Sequence, residues 1–305
     1  MNDWIQAARL RTLPLASACV MMGAAVGFDP TADTGHFFEV FAGALATVLL
    51  LQILSNYAND LGDAENGADG PERADRAVAS GRIPRAAMKR AVYVLAVAAL
   101  LSGIATVWWA LRGKGLFVPA VAVIAAGIAG IGAAYKYTAG RNPYGYRGLG
   151  DLAVMVFFGW VGVAGTAFLV SGTWAWSWLL PGTFTGAMSV AVLNLNNMRD
   201  HERDAAAGKH TLVTRMGFAK AKGYHAALLV AGWTALLAFT LGVESGQWRG
   251  MMWIALIGLV HVKHVVEVAQ TTDPLRLDPE LKRIALSTAV VAFFLFLAAI
   301  QIPTS

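Results

Sequence analysis

Cysteine is all but missing from this sequence. Cys19 is the single one, so an intrachain disulfide and a thiolate-rich metal centre are both excluded. Set inside an apolar run, Cys19 reads as a small buried hydrophobe. Charge is scarce too: 14% of the residues are Asp, Glu, Lys or Arg, against 57% hydrophobic. A soluble domain carries about 25% charged residues, so the shortage excludes an ordinary water-soluble globule. Also lacking are the alternating segments of a transmembrane barrel and any RNA- or DNA-binding motif, so no nucleic-acid partner is expected.

What the chain does have is long apolar runs, and a helix needs roughly 20 apolar residues to cross the hydrocarbon core. Nine runs qualify: 13–28, 37–58, 90–110, 116–135, 152–171, 175–196, 224–243, 250–268 and 284–302. Backbone groups must be satisfied inside lipid, so the spans are helices. The expected fold class is all-α: a polytopic membrane protein, nine transmembrane helices around a central cavity, with residues 1–305 as one domain embedded in the lipid bilayer.

Orientation follows from the basic residues. With the N-terminus inside, Arg112, Lys114 and Arg249 fall on the outer face and the other 21 of the 24 Lys and Arg on the inner one, as the positive-inside rule requires. Trp108, Trp109, Trp174, Trp176, Trp178, Trp248 and Trp253 border the outer connections, where an aromatic belt is expected. This topology accounts for the net charge of +5.

The inner loops after the second and sixth spans run to roughly 25–30 residues, a length that is usually functional or disordered. Each follows an acidic motif. At the end of span 2, Asn56, Asn59, Asp60 and Asp63 stand at i, i+3, i+4 and i+7, one stripe if the helix continues, with Asp69 beyond. At the end of span 6, Asn196, Asn197, Asp200 and Asp204 repeat the pattern. Carboxylates one turn apart repel by a few tenths of a kcal/mol even when solvated, and more near lipid. A divalent cation removes that cost, and Mg²⁺ is held by one or two carboxylates together with phosphate oxygens. Two such stripes with Lys and Arg nearby describe a Mg²⁺–diphosphate site. The plainer alternative, acids that merely solvate helix C-termini, runs against the helix dipole.

Among the basic residues, Lys209 of Gly208-Lys209-His210-Thr211 is the leading candidate to neutralise a diphosphate, followed by Arg141 and Arg215, then Arg199 and Arg203, which could instead pair with Glu202 or Asp204. Between spans 4 and 5, Pro143, Gly145, Gly148 and Gly150 imply a tight non-helical loop. It presents Tyr144, Tyr146 and Asp151, either to bind an aromatic substrate or as an interfacial turn with Asp151 capping span 5. His261 and His264 stand at i, i+3 but lack a clear third metal ligand.

At these motifs the sequence resembles the UbiA-type superfamily of intramembrane aromatic prenyltransferases, over nearly the whole chain. Asn59-Asp60-x-x-Asp63 and Asp200-x-x-x-Asp204 carry the likeness. Four stretches carry a closer similarity to its naphthoate-prenylating branch: Ala8 to Leu15, Ser55 to Asp60, Pro143 to Asp151, and Asn196 to Leu212. Arg9-Leu10 replaces the family's Arg-Pro, and the last acid of the first motif is the later Asp69 where many members have it at the position of Gly67.

The resemblance implies transfer of a polyprenyl chain from polyprenyl diphosphate to 1,4-dihydroxy-2-naphthoate, with loss of CO₂, at the cytoplasmic face of a bacterial inner membrane. It implies Asp60, Asp63, Asp200 and Asp204 as Mg²⁺ ligands and, with Lys209, as the catalytic set. Asn56, Asn59, Asp69, Arg141, Tyr144, Tyr146, Asp151, Asn196, Asn197, Arg199 and Arg215 are then the substrate-binding candidates. Two alternatives stand beside it. One is prenylation of another acceptor such as 4-hydroxybenzoate; the other is a cation-coupled transporter, which should carry acids near the membrane midplane.

Overall fold

The structure, a computed structural model, describes residues 3–70, 76–140, 142–242 and 251–301. Arg141, Trp248 and Arg249 lie outside the described residues, as does the side chain of Trp253. Among the described residues, nine long helices correspond to the nine apolar runs: α1 (Leu13–Gly27), α2 (Thr34–Glu65), α3 (Arg85–Leu111), α4 (Phe117–Lys136), α5 (Gly150–Ser171), α6 (Leu179–Arg199), α7 (Phe218–Gly242), α8 (Met251–Gln270) and α9 (Asp278–Ile300). Among the described residues, eight helical segments are long and apolar enough to cross a membrane. The chain is an integral membrane protein.

Helix length explains how the first acidic motif is presented. The 32 residues of α2 span about 48 Å at 1.5 Å per residue, well over the ~30 Å hydrocarbon core. Helical geometry therefore continues past residue 58 to Glu65, and Asn56 to Asp63 ride on its final turns. Gly67, at φ +73°, turns the chain back in the left-handed conformation that glycine adopts without a Cβ clash. The end of α2 lies hard against the end of α4: a Cβ on Gly62 would fall 2.5 Å from the Thr138 carbonyl carbon. Asn66 Nδ2 locks this contact by donating to Thr138 O at 2.7 Å.

The helices enclose a cavity of about 580 Å³ lined by α1 to α6. α7 packs on α6, and α9 on α1 and α6, so the last three helices buttress the cavity from outside. α4 buries no residue and forms a thin wall beside α2 and α3. Residues 155–161 of α5 make a π-helical stretch, a distortion that often marks functional sites. Its Gly159 abuts α6 so closely that a Cβ would come within 2.6 Å of Gly182 O, the backbone approach that small residues permit between membrane helices. At the opposite end from the acids, Trp108, Trp174 and Trp176 are exposed, and the Arg112 guanidinium stacks 3.5 Å from the Trp109 ring centroid.

Two local expectations are corrected. Tyr144–Arg147 forms a 3₁₀ turn instead of an irregular loop, because Pro143 fixes its entry and Gly148 closes it at φ +75°. Asp151 does not cap α5; Leu149 holds that position without a side-chain hydrogen bond, and Asp151 lies in the first helical turn.

Candidate active site

The end of α2 meets the segment that follows α6 at one end of the bundle. The Asp63 and Asp60 side chains, 1% and 2% exposed, are almost sealed from solvent. Asp63 Oδ1 accepts from the Tyr146 hydroxyl at 2.8 Å and lies 2.9 Å from Lys209 Nζ. Lys209 Nζ is also 3.5 Å from Asp204 Oδ1 and 4.8 Å from the centroid of the Tyr146 ring. Three separate segments, the end of α2, the turn before α5 and the loop after α6, therefore meet on one ammonium group. Burial by itself lowers the affinity of Lys209 for its proton, but Asp63 and Asp204 outweigh it and hold the group above its ordinary pKa. Burial moves Asp204 in the other direction for a charged group, raising its carboxyl above the usual range despite Lys209.

Asp60 faces the same region. Its Oδ2 accepts from the Ala77 N–H at 3.1 Å, while Oδ1 is buried with no hydrogen-bond donor among the described residues. A buried carboxylate oxygen left in that condition costs a large desolvation penalty, which a cation would relieve. Asp69 is paired with Arg76 Nε at 2.9 Å. Arg76 continues to Asn59 Oδ1 at 3.2 Å and stands 3.7 Å from Asp63 Oδ2. Asn59 Oδ1 also accepts from Arg9 Nη2 at 3.0 Å.

On the α6 side the stripe is broken once. α6 ends at Arg199, Asp200 is its C-cap, and a short helix, His201–Ala206, carries Asp204. Asp200 is clasped by Arg199 (2.9 and 3.1 Å) and by Arg203 (2.7 Å), and Arg199 reaches Asp278 at 2.6 Å. Asn196 lines the cavity and donates to Val192 O of its own helix; Asn197 is half-buried beside it.

Several candidates are committed elsewhere. Asn56 Nδ2 donates to Ala8 O at 2.7 Å and to Thr12 Oγ1 at 3.0 Å, which ties α2 to the N-terminal segment. Asp151 Oδ2 accepts from the Tyr224 hydroxyl of α7 at 2.9 Å. Exposed Arg215 donates to Arg147 O and joins two surface loops. Tyr144 lines the cavity with its hydroxyl on Ala133 O, and burial pushes its phenol up to about 12. His261 and His264 are spent on hydrogen bonds to Trp233, Ser287, His225 and Glu280.

Two residues went unmarked in the sequence, and a third was noted only in a family-like stretch. Arg76 could be counted only as a positive-inside charge, Tyr137 lies just beyond the fourth apolar run, and Arg9 was noted without a role. Arg9 does stand out in the backbone: it is the one non-glycine residue with positive φ among those described (φ 48°), a strained state that is retained where the surroundings enforce it. Tyr137 lines the polar end of the cavity, 5.5 Å from Tyr144 between ring centroids.

The residues fit a magnesium ion bound together with a diphosphate. Among the described residues no three His, Cys, Asp or Glu side chains are gathered into a ready metal cage. Mg²⁺ does not need one, since it takes one or two carboxylates and completes its shell with phosphate and water oxygens. Asp60 Oδ1 offers a hard oxygen on α2, and Asp63 and Asp204 meet at Lys209.

A helical membrane bundle with a buried acid and base cluster at one end and an apolar cavity between its helices suits an enzyme for an amphiphile with an anionic head. The chain belongs to the UbiA prenyltransferase family, whose pattern matches residues 14–277. It is 40% identical over 284 residues to a 1,4-dihydroxy-2-naphthoate octaprenyltransferase of Escherichia coli, covering 92% of this chain and 89% of that one. A protein of the same name from Haemophilus influenzae is 36% identical over 296 residues, covering 95% and 93%. In fold it is similar to a solved UbiA homolog from Archaeoglobus fulgidus bound to DMAPP and Mg²⁺, with a TM-score of 0.66, 13% identity, and 99% and 100% of the two chains covered.

Proposed function

We propose that this protein transfers a polyprenyl group from polyprenyl diphosphate to 1,4-dihydroxy-2-naphthoate, releasing CO₂ and giving the quinol form of demethylmenaquinone and diphosphate, in a Mg²⁺-dependent reaction at the cytoplasmic face of a bacterial inner membrane. The observation that carries this reading is the convergence of Asp63 and Asp204 on Lys209, in a bundle that also encloses an apolar cavity. The acceptor follows from the relatives' naphthoate specificity, and the sidedness from the basic residues that share a face with the acids.

Asp60 and Asp63 of α2 and Asp200 and Asp204 beyond α6 are the residues that would hold the metal. Bound there, Mg²⁺ supplies electron-withdrawing pull on the diphosphate oxygens as the allylic C–O bond breaks. Lys209, Arg76 and Arg9 stabilise the departing anion through charge-assisted hydrogen bonds. The polyprenyl tail lies in the cavity between α1 and α6, whose apolar walls keep water from the allylic cation. Tyr137 and Tyr144 flank the polar end where the naphthoate ring captures that cation and then loses its carboxylate.

The test is incubation of the purified protein with Mg²⁺, a polyprenyl diphosphate and each candidate acceptor, with products read by mass. Dihydroxynaphthoate alone should give a prenylated, decarboxylated product, and Asp60→Ala or Asp200→Ala should abolish it. Full turnover after metal stripping, or full activity in both variants, overturns the reading.

A further inference from the structure

The geometry points to Gly130 of α4 and Phe157 of α5 as the pair that sets which donor chain lengths the enzyme accepts. This rests on the prenyl-transfer reading above and concerns the tail, not the reacting head.

Both residues line the cavity at one level. Gly130 is six residues in from Lys136 and Phe157 seven residues in from Gly150, each roughly 10 Å above its helix end at 1.5 Å per residue. Those two ends are pinned together, since a Cβ on Gly150 would lie 3.0 Å from Tyr137 Cε2. The polar end of the cavity, with Tyr137, Tyr144, Asn196 and Thr12, lies below this level, and the apolar chamber above it.

At Gly130 α4 approaches α5 on the cavity wall: a Cβ there would already touch the Phe157 ring, 3.5 Å from Cδ1 and 3.6 Å from Cε1. One turn further out on α4, a Cβ on Gly127 meets nothing within 4 Å. The backbone that carries Phe157 is held in place, because it belongs to the π-helical stretch whose Gly159 is pressed against Gly182 and Gly186 of α6. The missing side chain at residue 130 therefore leaves the passage open. A short donor ends near this threshold, whereas a long one must thread it to reach the chamber.

The test compares dimethylallyl diphosphate with a long all-trans polyprenyl diphosphate, both with dihydroxynaphthoate, in wild type, Gly130→Leu, Phe157→Ala and the double variant. Thermal unfolding midpoints serve to confirm folding. Gly130→Leu should lower the long-to-short ratio of kcat/KM by at least about tenfold, the scale of a few methylenes misplaced in an apolar pocket. The double variant should recover most of that ratio. If Gly130→Leu fails to fold, Gly130→Ala, whose Cβ makes only an ordinary contact, should shift the ratio in the same direction. An unchanged ratio in a folded variant overturns the assignment while leaving prenyl transfer intact. A wild type that consumes neither donor overturns the prenyl-transfer reading itself.

Discussion

The Lys209 ammonium sits 2.9 Å from Asp63 Oδ1, so a cation from the loop after α6 is seated among the acids at the end of α2. With Asp204 at 3.5 Å, one side chain neutralises a carboxylate from each motif. Lys209→Met should leave two buried carboxylates without their cation. Turnover is expected to fall by roughly 10²–10³, the range for removal of an electrostatic stabiliser; Lys209→Arg, which keeps the charge, should retain more. Steady-state assays of the two variants decide it, and equal activity in wild type and Lys209→Met would count against any role for this residue in the reaction.

Tyr146 contributes twice, through its hydroxyl on Asp63 and its ring beside Lys209. Tyr146→Phe loses only the hydrogen bond, worth about 1 kcal/mol, and turnover should drop by less than about tenfold. Tyr146→Ala removes the ring as well and should cost more. A Phe variant as impaired as the Ala variant would show that the ring is dispensable.

Arg9 holds a left-handed backbone at φ 48° and donates to Asn59. Arg9→Gly relieves the backbone strain, of order 1–3 kcal/mol, and removes the guanidinium. Thermal stability in detergent should therefore be kept or raised while activity falls. A variant that lost stability and kept full activity would reverse this assignment.

Gly62 admits no side chain, because a Cβ would lie 2.5 Å from the Thr138 backbone. Gly62→Ala should push α2 away from α4 and lower stability by about 1–3 kcal/mol. Gly127→Ala, with open space at its Cβ, should not. Unfolding midpoints of the two variants measured side by side provide the comparison.

Much of the site was legible before any coordinates. Asp60 and Asp63 sit one turn apart at the end of an apolar run, and that spacing survives because α2 stays helical to Glu65. Lys209 could be singled out beside the second motif, but its partner across the bundle could not. Asn56 and Asp151 show the opposite failure. Both are polar residues within acidic or loop motifs, and both are consumed by internal hydrogen bonds, because a buried polar group must find a partner wherever the fold offers one. Arg76 was one of several loop arginines, with no local signal to distinguish the one that turns inward.

The sequence by itself determined the class of the protein: the lengths of its apolar runs and the one-sided distribution of its basic residues follow from the thickness and dielectric of a bilayer, which act on each segment independently. Only the tertiary structure decided which charges face one another, which residues of different helices meet on the cavity wall and which polar groups are spent on holding helices together. Those outcomes depend on distances between segments far apart in the chain, and helix packing alone sets them.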